Sequence, residues 1–182
     1  MEVEPRWLTR TEQHRLLNAL KRAVQSAQTM AGAETSQALR DRAIVAMLLN
    51  TGLHVLELVE LTLVDLNITE QKGSVYVRDG KGGKARTVPL NATARNALAV
   101  YLDVRAEGQG DHLFLGQRGP ISSRQVLRIL KKYARQSGLE PEVVTAHTLR
   151  HTFGKNLIDA GVSIDQAATL MGHATGHTHL IM

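Results

Sequence analysis

Residues 144 to 182, VTAHTLRHTFGKNLIDAGVSIDQAATLMGHATGHTHLIM, hold five of the eight histidines of the chain, with an arginine among them. His147 and Arg150 stand three apart in a helical pattern and so share one face. A guanidinium offers a planar fork of donors to phosphate oxygens. An imidazole beside it can donate a hydrogen bond or move a proton near neutral pH. The pair suits a phosphodiester, although a solvated surface His and Arg would have the same spacing. His173, His177 and His179 have the look of metal ligands, because a helical i, i+4 pair can chelate. Gly172 and Gly176 break the helix there and no acidic ligand completes the set, so no metal is expected.

Two basic groupings lie upstream. The turn GKGGKAR places Lys81 and Lys84 on a glycine-rich loop that can swing a lysine against a phosphate or a leaving oxygen. It is not a Walker A loop, since the GxxxxGK[ST] spacing is missing and no helix begins there. Further on, Arg124, Arg128, Lys131 and Arg135 fall on one stripe at helical spacing, with Lys132 beside them. Val126, Leu127, Ile129 and Leu130 are the expected buried side. Such a stripe suits phosphate-backbone or major-groove contact, and a solvated charged face equally.

These residues need elements to hold them. WLTRTEQHRLLNALKRAV opens a helix with Thr9 as N-cap and Glu12 closing a capping box, and Leu16, Leu17 and Leu20 as its apolar stripe. Residues 26 to 36 are small and polar and are expected to be helix end plus loop. QALRDRAIVAMLLNTG is a second helix stopped by Gly52, and LHVLELVEL a short third. GSVYVRDGKGGKARTVPL alternates apolar and polar residues on both sides of its glycines and predicts a β-hairpin. Asn91 caps the next helix, and Leu113 to Leu115 is expected to form a third strand. A helix from Ser122 or Ser123 to Gly138, another over AHTLRHTFGKNLIDAG, and a short one capped by Ser163 complete the chain. The predicted fold is α+β: mainly helical, compact, with one small antiparallel sheet.

At 182 residues the chain fits one domain with a real core, which must be aliphatic because aromatic residues make up only 3%. Lys and Arg number 22 against 17 Asp and Glu, a balance that favours a polyanionic partner. There is no cysteine, which removes disulfides and thiolate metal sites and suits a cytoplasmic protein. No apolar run reaches the length of a membrane span, and the first ten residues have no signal-peptide core.

Taken in order, the segments LRDRAIVAMLLNTGLHVLELVELTLVDL, GKGGKARTVPL and HTLRHTFGKNLIDAGVSIDQAATLMGH resemble the catalytic domain of tyrosine recombinases, the phage-integrase and Xer-like family. The resemblance implies a single catalytic domain over residues 1–182, without the N-terminal core-binding domain and the C-terminal tail of such enzymes. It implies a double-stranded DNA partner, with assembly of several copies on the DNA as a further expectation, and no cofactor. In such enzymes a tyrosine attacks the scissile phosphodiester to give a 3′-phosphotyrosyl link, arginines hold the phosphate oxygens, and a hairpin lysine protonates the leaving 5′ oxygen. By motif position Lys81 is that lysine, His147 and Arg150 the HxxR pair, His173 the LGH histidine, and Glu57 a supporting acid. Lys84, Arg86, Arg124, Arg128, Lys131 and Arg135 are the expected DNA contacts.

Two positions depart from the family pattern. TGLH replaces TGLR, so His54 stands where the first catalytic arginine belongs. Nine residues after His173, where the nucleophilic tyrosine is expected, is Met182. Imidazole cannot give a bidentate phosphate grip, and a thioether has no hydroxyl to attack with. Tyr76, Tyr101 and Tyr133 are expected to be structural. The sequence therefore predicts a recombinase scaffold that binds DNA and is defective in cleavage, or a non-catalytic DNA-binding regulator of the same fold.

Overall fold

The helix with the unbroken apolar run AIVAMLL becomes the axis on which the others pack. In the computed structural model, which describes residues 6–30, 32–78, 84–107 and 110–172, helix α2 (Ala33–Thr51) has every side chain from Ala43 to Leu49 buried. A helix apolar all round has to be covered all round. Helix α1 (Arg10–Met30), α4 (Ala92–Val104) and α6 (Ala146–Asp159) pack against α2, which also touches α3 (Val55–Glu60) and α5 (Ser123–Gln136). Helix α7 (Ile164–Met171) rests on α6.

Caps set the helix starts as local chemistry predicts. Glu12 N–H donates to Thr9 Oγ1 at 3.2 Å while Thr9 N–H donates to Glu12 Oε2 at 2.8 Å. Asn91, Ser122 and Ser163 accept from the first turns of α4, α5 and α7, and Thr145, not anticipated, does so for α6. Residues 26 to 36, expected to be helix end plus loop, hold the end of α1 at Met30, and helix resumes earlier than expected, at Ala33. Ala27 there is a packing residue: with Val24 it forms a separate apolar cluster with Ala38 and Leu39 of α2.

The sheet is antiparallel, in the order β1 (Leu66–Ile68), β2 (Gly73–Val77), β3 (Arg86–Pro89). Val75 pairs with Leu66 on one side and Val88 on the other, and Val75, Val77 and Val88 point into the core. The hairpin is thus as expected, but its third strand is β1. The run Leu113–Leu115 instead leads into a separate two-stranded ribbon, β4 (Leu115–Gly116) with β5 (Gly119–Pro120). Among the described residues no helix is long and apolar enough to cross a membrane.

Gly52 ends α2 in the left-handed region, at φ 63° and ψ 22°. A Cβ there would lie 2.5 Å from Cδ1 of Phe153 on α6. Gly161 is also left-handed, at φ 85°, but a Cβ there would meet nothing within 4 Å, so it isolates backbone strain from packing. Gly161→Ala is expected to cost about 1 kcal/mol. Gly52→Ala is expected to cost about 2–3 kcal/mol, because strain and overpacking add. Urea midpoints of the two variants against the parent chain test the ordering.

Candidate functional site

An open cleft of about 870 Å³ lies where α3, β2, α5 and the first turns of α6 meet. His54, Glu57 and Glu60 line it from α3 and its N-cap, Tyr76 and Arg78 from the strand and its end, Leu127 from α5, and Thr145, His147 and Arg150 from α6. His147 and Arg150 do share one face of the helix, as their spacing requires. His147 is exposed, whereas Arg150 is only 4% exposed.

Arg150 is held at the base of the cleft by backbone carbonyls. Its Nη1 donates to Gly52 O, at the end of α2, and its Nη2 to Met171 O, at the end of α7, at 2.6 Å. Burial drives its guanidinium down to about 10; the Glu57 carboxylate opposes that fall and the charge of Arg86 adds to it. The group is still a cation at neutral pH. A desolvated cation gains most from an incoming anion.

Glu57 is fixed from two directions. Arg86 of β3 grips it with two parallel bonds, Nη1 to Oε1 at 2.8 Å and Nη2 to Oε2 at 2.9 Å. The backbone N–H of His54 donates to Oε2 at 2.9 Å. Arg86 Nε also donates to Leu170 O at 3.1 Å. Gly172 makes room for this, since a Cβ there would lie 2.8 Å from Arg86 Nη1. The last four carbonyls of α7 are thereby all satisfied: Ala168 and Thr169 by the N–H of Gly172, Leu170 by Arg86 and Met171 by Arg150. Cations at the negative end of a helix are in their favourable place.

Three expectations need correction. Arg86, expected to contact DNA from the hairpin, is part-buried, its side chain only 9% exposed and all three guanidinium nitrogens engaged inside the protein. Leu127, expected in the core, is 42% exposed and faces the cleft, within the basic stripe. Of the three tyrosines, Tyr133 and Tyr101 are buried as structural residues, the first bonded to Asp41 Oδ2 and the second stacked on Phe114. Tyr76 instead is half-exposed on the cleft wall. Strand parity carried that signal, because Tyr76 alternates with the inward Val75 and Val77.

The model of the phage integrase family matches residues 6–180. The chain belongs to the phage integrase family. Tyrosine recombinase XerA of Pyrococcus furiosus is 39% identical over 141 residues, covering 75% of this chain and 47% of that protein. A crystal structure of XerA recombinase superposes with a TM-score of 0.80 at 26% identity, covering 100% of this chain and 60% of that one. The XerH site-specific recombinase, solved bound to its palindromic difH substrate in a post-cleavage complex, shares the fold at a TM-score of 0.81 and 21% identity, covering 98% of this chain and 50% of that one. The chain spans about half the length of the curated relatives it matches.

In this recombinase fold, His54, Glu57, His147 and Arg150 come together at one cleft. Arg124, Arg128, Lys131 and Arg135 are exposed along α5, and Lys84 is exposed before β3. Lys81, His173 and Met182 lie outside the described residues, as do His177 and His179.

The Glu57–Arg86 pair has a measurable signature. Burial pushes the Glu57 carboxyl up, but the bonds from Arg86 and from His54 N–H outweigh it and hold the group below its ordinary value. A lowered carboxyl stabilises the fold above its unfolded value of about 4.3 and loses that contribution as pH falls through the folded value. Glu57→Gln is expected to cost about 3 kcal/mol at pH 7, since it leaves Arg86 buried without a counter-charge. The gap from the parent chain should narrow steadily below about pH 4, as measured by urea unfolding across the range.

Proposed function

We propose that the chain is the DNA-binding catalytic domain of a site-specific tyrosine recombinase or integrase, and that it cannot cleave DNA as written. The observation that carries this reading is the placing of His147 on the wall and Arg150 at the base of one cleft lined also by His54, in the first turns of α6 and next to the basic stripe of α5. The helix N-terminus, capped by Thr145, presents partial positive charge where a phosphate would sit. Arg150 supplies a desolvated cation and His147 an exposed imidazole. The relatives and neighbours support the DNA partner, XerH having been solved on its substrate.

The roles follow from chemistry. Arg150 and His147 hold the non-bridging oxygens of the scissile phosphate as negative charge builds. Lys81, on the hairpin turn, protonates the leaving 5′ oxygen, and His173 adds a donor to the phosphate. Glu57 positions the site through Arg86 and the His54 backbone. Arg124, Arg128, Lys131, Arg135 and Lys84 contact the DNA backbone. His54 lies at the cleft where a second guanidinium would complete the grip, and Met182 stands at the nucleophile position. Without both, the domain binds and does not cut, which is equally the behaviour of a DNA-binding regulator of this fold.

A nicked suicide substrate carrying a candidate site tests the chemistry. The parent chain is expected to give no covalent DNA adduct, and a His54→Arg, Met182→Tyr double variant to give one that survives boiling in detergent. An adduct from the parent chain would overturn the reading. Binding is tested by salt titration: log K against log salt should fall linearly, and Lys131→Ala should make that slope shallower by about 0.9 on any duplex.

A further inference from the structure

His147 and His151 stand one turn apart on α6, and their Nε2 atoms are 2.7 Å apart. The rings meet edge to face, at 87° with centroids 4.3 Å apart. A neutral imidazole has one N–H and one lone pair, whereas an imidazolium has two donors and no acceptor. A hydrogen bond between the two nitrogens needs a lone pair on at least one of them. A metal ion can take the place of the bonded proton. The spacing HTLRH is that of the helical HExxH pair, with Thr148 where the metalloproteases carry a general base.

We propose that His147 and His151 form a two-imidazole site for a borderline divalent transition-metal ion, Cu²⁺ or Ni²⁺. The nitrogen separation suits adjacent ligand positions on one ion. With metal–nitrogen bonds of about 2.0–2.1 Å, adjacent positions of a square-planar centre lie about 2.9 Å apart, and those of a tetrahedral centre about 3.4 Å. The observed 2.7 Å needs only a small opening for the first and a large one for the second. Square-planar and tetragonal nitrogen sites are those of Cu²⁺ and Ni²⁺, and Cu²⁺ stands highest in the affinity order. Among the described residues no group of three or more His, Cys, Asp and Glu could hold a metal, so solvent oxygens complete the coordination. This is a ligand site and not a hydrolytic centre. It stands apart from the phosphate-binding reading but shares His147 with it, so a bound ion occupies the imidazole at the edge of the cleft.

The test is titration of the purified full chain with CuCl₂, followed by calorimetry and by the electron paramagnetic resonance of the bound ion, with MgCl₂ as a hard-cation control. Two nitrogen ligands are expected in the superhyperfine pattern, with no heat from MgCl₂. His147→Gln and His151→Gln should each weaken Cu²⁺ binding on the order of tenfold or more. The triple variant His173→Gln, His177→Gln, His179→Gln should leave the tight site in place, and circular dichroism should show every variant folded. Unchanged affinity in either helix variant would overturn the proposal, and so would loss of the tight site in the triple variant.

Discussion

The bidentate ion pair between Arg86 and Glu57 ties together three parts of the chain that are far apart in sequence. Through it, strand β3 of the hairpin is fixed to the first turn of α3, and through Arg86 Nε the same side chain holds the end of α7. Arg150 repeats the device, joining the ends of α2 and α7 through carbonyls. Both guanidiniums thus meet at the C-terminal end of one short helix. An eight-residue helix has little stability of its own, and its carbonyl end would be costly to leave bare. Satisfying it with two anchored cations, the buried Arg150 and the part-buried Arg86 neutralised by Glu57, gives the cleft a rigid floor.

That floor decides what the cleft can do. Arg150 is desolvated and anchored, so its charge is aimed before any anion arrives, and little reorganisation is left for the moment of binding. A flexible surface arginine would have to be ordered first. The walls are a different matter. Leu127 and Tyr76 present exposed apolar surface beside charged groups, and the buried Asp65 is paired with Arg78 at 2.8 Å, so it does not stand as bare negative charge beside the cleft.

Local chemistry was legible in the sequence because its signals are short-ranged. The capping box of Thr9 and Glu12, the caps at Asn91, Ser122 and Ser163 and the glycine stop at Gly52 are each set within four residues, and each is where it was expected. The hairpin followed from alternation. Tertiary direction was less legible. Arg86 looked like a hairpin cation because nothing near it in sequence marks a partner, and its partner Glu57 lies 29 residues away. Leu127 looked like core because it sits between Val126 and Arg128, yet helical phase places it on the stripe with Arg124 and Lys131. The third strand went to Leu66–Ile68 because Val75 needed a partner on its open side, a choice made across the sheet and not within the segment.

The double duty of the floor has a consequence for how such a domain changes over generations. Arg86, Glu57 and Arg150 hold helix ends together, so selection for a folded protein retains them whether or not any DNA is cut. Position 54 is the N-cap of α3, where its side chain takes part in a capping box, and its backbone N–H to Glu57 is a bond that any residue but proline supplies. The hold on Glu57 therefore does not depend on which side chain stands at 54. The side chain at 54 can therefore change across generations while the tie between α3, β3 and the end of α7 stays in place.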